Sequence, residues 1–89
     1  MSLQIVFGRL VRESRIAQGY TQEQLAELAD ITARHLHTIE YGETEPGLRI
    51  VTALADILGI DLNLLKPFAV HDAKGYYRKE YDVKGTTDI

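Results

Sequence analysis

The chain contains no cysteine, which removes disulfide frameworks and thiolate metal sites together and suits a reducing compartment. It has no long apolar run either. Its opening residues lack a basic region followed by a hydrophobic segment, so neither a signal peptide nor a membrane span is expected, and the expected location is the cytoplasm. Basic charge is not in excess: 10 lysines and arginines stand against 13 aspartates and glutamates, a net charge of −3. Glycines occur singly at predicted helix ends, which excludes a phosphate-cradling loop. His35 and His37, two apart, do not share a helix face, and His71 is distant, so no metal site is expected. Ser14 has no histidine near it in sequence, and the carboxylates are spread along exposed helix faces. No catalytic constellation forms, and neither enzyme activity nor a cofactor is expected. Internal repeats, heptads and low-complexity tracts are also missing.

What remains is an ordinary globular composition, 45% hydrophobic and 26% charged over 89 residues, enough for one domain with a small core. Residues 21–41 organise it. Thr21 and Gln24 have capping-box spacing, the hydroxyl placed to accept the third helical amide while the Gln24 side chain reaches back. Leu25, Ala26, Leu28 and Ala29 follow at helical spacing on one face. Asp30 interrupts the pattern, and Thr32 can cap a second helix that turns Leu36 and Ile39 inward. The small Ala26 lets this second helix cross closely over the first. Helices this short cannot stand alone and must pack on the rest of the chain. The outward face of the second carries Ala33, Arg34, His37 and Thr38, the arrangement of a helix-turn-helix with a recognition helix.

Upstream, apolar Phe7, Leu10, Val11 and Ala17 predict a helix over 3–18 that Gly19 ends in left-handed geometry. It carries Arg9, Arg12 and Arg15 against Glu13, whereas 21–30 carries Glu23, Glu27 and Asp30 with no lysine or arginine. Acidic charge can thus lie away from a DNA-facing surface. Downstream, 41–47 is a loop rich in turn residues. Leu48, Val51, Leu54, Ala55 and Leu58 predict a fourth helix closed by Gly59, and Asp61 caps a short fifth with Leu62, Leu64 and Leu65. Pro67 ends helical propensity. Residues 1–66 therefore read as an all-α, five-helix domain and 67–89 as a C-terminal tail. In the tail, 68–71 reads as a strand, 72–75 as a turn and 76–83 as an alternating strand, together a β-hairpin. Tyr77 and Tyr81 are also four apart, which leaves a helix as the alternative. A lone hairpin is marginal in water, so it should pack on the domain or on a second subunit.

In order and spacing these pieces resemble the Cro/C1-type, XRE-like family of helix-turn-helix regulators, which includes phage repressors, plasmid regulators and antitoxins. The resemblance covers about 7–65. It begins with Gly8, Val11, Arg12 and Arg15, continues through Gly19, Tyr20, Thr21, Gln22, Leu25 and Ala26, then Leu36, Ile39, Glu40 and Gly42, and ends with Pro46, Ala53, Leu54, Ala55, Leu58, Gly59 and Ile60. Two positions depart from the family pattern: Asp30 stands where the turn usually has glycine, and Gly47 where a serine cap is usual. Aspartate tolerates left-handed backbone better than most residues, and glycine is an acceptable cap. The resemblance implies a compact lambda-repressor-like fold in which Arg12 or Arg15 pairs with Glu40, a phosphate contact being the alternative for these arginines.

It further implies a sequence-specific regulator that binds double-stranded DNA as a homodimer on an inverted-repeat operator, repression being the commoner mode in the family. Arg34, in the first turn of the recognition helix, can grip guanine O6 and N7 bidentately, worth roughly 1–3 kcal/mol of discrimination. Ala33 and Thr38 match base-contacting positions of the motif, Ala33 offering only a methyl. His37 can reach a base or a phosphate. By the same resemblance Gln22 bonds a phosphate, aided by the amides at a helix N-terminus. Thr32 can cap and touch phosphate, and Tyr41, Thr44 and Arg49 are candidate backbone contacts, a partly buried ring being the alternative for Tyr41. The rival reading is a protein-interaction module, an antitoxin or adaptor that keeps the fold. The acidic balance favours it, as does a tail whose Tyr77 and Tyr81 would suit a protein partner.

Overall fold

Local signals set most helix ends in the structure, a computed structural model that describes residues 2–72. Helix α1 (Leu3–Ala17) starts at Ser2, whose hydroxyl accepts the Ile5 N–H at 3.3 Å. It ends where Gly19 takes φ +83° and the Tyr20 N–H donates back to the Arg15 carbonyl. Helix α2 (Gln22–Ala29) opens on the full capping box: Thr21 Oγ1 accepts the Gln24 N–H at 3.0 Å, and Gln24 Oε1 accepts the Thr21 N–H at 2.9 Å. Asp30 then adopts left-handed backbone at φ 59°, ψ 48°, and the Ile31 N–H donates to the Ala26 carbonyl at 3.0 Å. Thr32 Oγ1 caps α3 (Ala33–Glu40) by accepting the His35 N–H at 3.0 Å. Gly47 starts α4 (Leu48–Leu58) without a side-chain cap, and Gly59 at φ 72° stops it.

Beyond Asp61, whose carboxylate accepts the Asn63 N–H, the structure departs from expectation. Residues Leu62–Leu65 form a 3-10 turn that runs directly into α5 (Lys66–Asp72). The strand expected at 68–71, and with it the first arm of the hairpin, is therefore helical. Pro67 does not end the helix because it lies in its first turn, where a missing N–H removes no intrahelical bond and the ring's fixed φ suits the helix. Phe68 and Ala69 are half-buried, and α5 packs against α1. The second arm, 76–83, lies outside the described residues.

The core gathers Phe7 and Val11 from α1, Leu25, Ala26 and Ala29 from α2, Leu36 and Ile39 from α3, and Leu54 and Leu58 from α4. Five of these, Val11, Leu25, Leu36, Ile39 and Leu54, are wholly buried, and each such aliphatic side chain contributes about 1.5–3 kcal/mol of transfer free energy. Three apolar residues of the predicted helices are not buried. Leu28 is 56% and Leu48 82% exposed, and Ala17 is exposed at the end of α1. A helix of 8 or 11 residues against so small a core buries a narrow stripe, and helical spacing does not reveal its width.

Helices α1 and α3 approach closely at Gly8. A Cβ on Gly8 would lie 2.1 Å from the Ile39 carbonyl oxygen and 2.9 Å from that of Glu40, so only glycine lets the two backbones meet there. Side chains also tie the ends of elements together. Gln4 Nε2 donates to the Gly42 carbonyl at 2.7 Å, and Gln18 Nε2 to the Leu58 carbonyl at 2.8 Å.

Candidate nucleic-acid interface

The geometry of the two-helix unit is held by a buried charge. Glu40, at the last position of α3, has a side chain with no exposed surface. Its carboxylate accepts three hydrogen bonds: from Arg15 Nε at 2.6 Å, Arg15 Nη2 at 3.2 Å and Gln22 Nε2 at 3.0 Å. Arg15 Nη1 also donates to the Tyr20 carbonyl at 2.9 Å. Of the two arginines expected as partners of Glu40, the structure selects Arg15. A bidentate guanidinium with a further amide satisfies a carboxylate that could not otherwise be held away from water. One node thereby joins α1, the start of α2 and the end of α3.

On this frame α3 turns Arg34 and His37 to solvent. Arg34 makes no hydrogen bond, ion pair or ring contact among the described residues. His37 lies with its ring 4.6 Å from that of Tyr41, the planes inclined at 37°. Tyr41, 51% exposed, has the Arg12 guanidinium over its ring, 4.9 Å from the centroid. The ring is thus half exposed, its remainder covered in part by Arg12 and His37.

The other candidates are more engaged. Ala33 is half-buried and packs against the core, leaving little of its methyl for a base. Thr38 Oγ1 donates to the His35 carbonyl at 2.7 Å and lies 3.1 Å from Thr44 Oγ1, which links α3 to the loop that follows it. Thr32 is occupied as a cap, though its hydroxyl stays exposed. One N–H of Gln22 is used by Glu40, which leaves its second N–H for a ligand. Arg49 closes the turn, its Nη1 donating to the Ala29 carbonyl at 3.2 Å and Nη2 to the Asp30 carbonyl at 3.4 Å.

The sequence reading missed two relationships. Arg12 partners the Tyr41 ring, and Gln22 partners Glu40. The first had a signal: Arg12 follows Gly8 by one helical turn, so the side of α1 that meets α3 passes from Gly8 to Arg12. The second had none, because residues 18 apart meet only once both helices are placed. Among the described residues no group of His, Asp or Glu could hold a metal ion, and no helix is long and apolar enough to cross a membrane.

Comparison with known proteins bears on this surface. A family model described as helix-turn-helix matches residues 11–65. The HTH-type transcriptional regulator YazB of Bacillus subtilis is 37% identical over 62 residues, covering 70% of this chain and 90% of its own. The SPbeta prophage-derived HTH-type regulator YonR of the same organism is 33% identical over 60 residues, 67% of this chain. This chain spans only 56% of the length of YonR. Among solved structures, the restriction-modification controller protein C.AhdI of Aeromonas hydrophila is similar with a TM-score of 0.62 at 32% identity, covering 70% of this chain and 94% of its own. The clp gene regulator ClgR of Corynebacterium glutamicum gives a TM-score of 0.68 over 94% of this chain and 89% of its own, and at 20% identity bears on the fold alone.

Proposed function

Since the chain belongs to the Cro/C1-type helix-turn-helix family of transcriptional regulators, we propose that it reads double-stranded DNA in a sequence-specific way through the outer face of α3. The observation that carries this reading is Arg34, an exposed guanidinium in the first turn of α3 with no partner among the described residues, mounted on a helix pair locked by Glu40. Arg34 reads a guanine edge, with His37 beside it. Gln22, through its second N–H, and Thr32 set register on the phosphates, together with Tyr41. Thr38 and Thr44, already bonded to each other, and Arg49, bonded to the turn, act mainly by holding the loop and the turn in place. Ala33 makes room rather than contact.

The protein acts in the cytoplasm as a homodimer on a two-fold-related operator with half-sites about one helical turn apart, roughly 34 Å, and represses. That the similar proteins carry regulator and controller names supports this reading. The test is selection of bound duplexes from a random pool, followed by stoichiometry of the winner. An enriched inverted repeat bound by two chains is expected. Weak, strongly salt-dependent binding with no enriched motif would contradict it.

A second reading is favoured by one observation. Exposed Glu43 and Glu45 lie in the loop just after α3, in a chain of net charge −3, and such charge suits a basic protein partner better than phosphate. In this reading the protein is an adaptor or antitoxin that keeps the fold. Failure of the duplex selection would favour it.

A further inference from the structure

Arg12 has no assigned task in the reading above, and it makes neither a hydrogen bond nor an ion pair among the described residues, unlike Arg9, which pairs with Glu13, and Arg15, which pairs with Glu40. Its one contact is the Tyr41 ring, and the second neighbour of that ring is His37. The three side chains form a relay across two helices, from a guanidinium on α1, through the residue that caps α3, to an imidazole on the exposed face of α3. Both contacts are attractive in kind. A guanidinium within about 6 Å of a ring centroid is drawn to the π-system, and tilted aromatic pairs favour centroid separations of roughly 4.5–7 Å.

The base of the relay is closely packed. Gly8, one turn before Arg12, lies against the backbone of Ile39 and Glu40, so α1 is packed tightly on the end of α3. An imidazole on an open helix face would otherwise exchange rotamers and lose that freedom on binding. One held in advance loses less, and it presents a defined edge. We propose that Arg12 and Tyr41 are positioning residues that set the orientation of His37, so that base preference at the operator position His37 faces depends on a side chain from α1. The inference rests on the DNA-reading function proposed above and adds a specificity determinant outside the recognition helix.

The test is duplex selection with the wild-type protein and with His37→Ala, Arg12→Ala, Arg12→Lys, Tyr41→Leu and the Arg12→Ala/His37→Ala double variant. Each winner is then bound in competition with its single-base variants. All the substituted side chains are at least half exposed or half-buried at the surface, and thermal unfolding checks that each variant folds. His37→Ala is expected to relax one position in each half-site. Arg12→Ala and Tyr41→Leu relax the same position by roughly three- to tenfold, the Tyr41 variant also weakening all duplexes alike through its lost phosphate contact, Arg12→Lys relaxes it less, and the double variant is no worse there than His37→Ala alone. If Arg12→Ala weakens all duplexes alike, Arg12 is a phosphate contact and the inference fails while DNA reading stands. If its relaxation persists in the His37→Ala background, the relay is wrong. If the wild-type protein enriches no motif, the DNA-reading function itself falls, and the inference with it.

Discussion

On its inner face α3 presents Leu36, Ile39 and Glu40, all buried, packed among or bonded to residues of the other helices. On its outer face it presents Arg34 and His37, exposed, with Arg34 free of partners among the described residues. One short helix thus carries a fully satisfied side and an unsatisfied one. The difference separates two kinds of residue in the same eight positions: those whose loss is felt as stability, and those whose loss is felt only when something binds. It also explains why a buried carboxylate is useful here. Leucine and isoleucine fill space, but the three bonds to Glu40 fix the angle between α1, α2 and α3, and hence where Arg34 points.

Substitutions on the inner side should act on stability first. The largest effect is expected for Arg15→Ala, which strips the main partner from a carboxylate with no exposed surface and should cost about 3–5 kcal/mol in urea unfolding. Gly8→Ala should follow, at about 3 kcal/mol, since a methyl there meets the Ile39 carbonyl oxygen and forces α1 off α3. A folded Gly8→Ala protein should also bind DNA less well, because the seat of α3 has moved. Gln22→Ala removes one of three donors from Glu40 and should cost about 1 kcal/mol. Because Gln22 also faces the proposed phosphate, this variant should in addition lower affinity for all duplexes equally. Smallest is Asp30→Gly. It relieves left-handed backbone at φ 59° and should raise stability by a few tenths to about 1 kcal/mol, seen as a small increase in Tm. A loss of stability there would show that the Asp30 side chain does more than tolerate the turn.

How much of this was legible depended on the range of each interaction. Caps at Thr21, Thr32 and Asp61 and glycine stops at Gly19 and Gly59 were readable because donor and acceptor lie within a few residues of each other. The left-handed turn at Asp30 was readable from its place where the family pattern usually has glycine. Periodicity found the core-facing stripe but not its width: Leu28 and Leu48 keep the helical spacing and are exposed. Pro67 misled because a proline that ends one helix and a proline in the first turn of another look alike in sequence; only the 3-10 turn before it distinguishes them. The pairing of Arg15 rather than Arg12 with Glu40, the Gln22 bond to the same carboxylate and the Arg12–Tyr41 contact all join residues from separate helices. Such contacts follow from how the helices cross, and of the three only the Arg12–Tyr41 contact had a local signal, the spacing of Gly8 and Arg12 on α1. At the candidate interface the consequence is plain: the identity of the exposed residues was readable, but which of them are already engaged was not.

The central claim is that the outer face of α3 reads DNA while its inner face only holds it in place. The most direct measurement is binding of the wild-type and Arg34→Ala proteins to the selected duplex and to its variants at one G·C pair per half-site, with unfolding measured in parallel. Arg34→Ala is predicted to unfold within about 0.5 kcal/mol of wild type and to lose roughly 1–3 kcal/mol of discrimination at that pair alone. Equal loss on every duplex, or unchanged preference at every position, would contradict it.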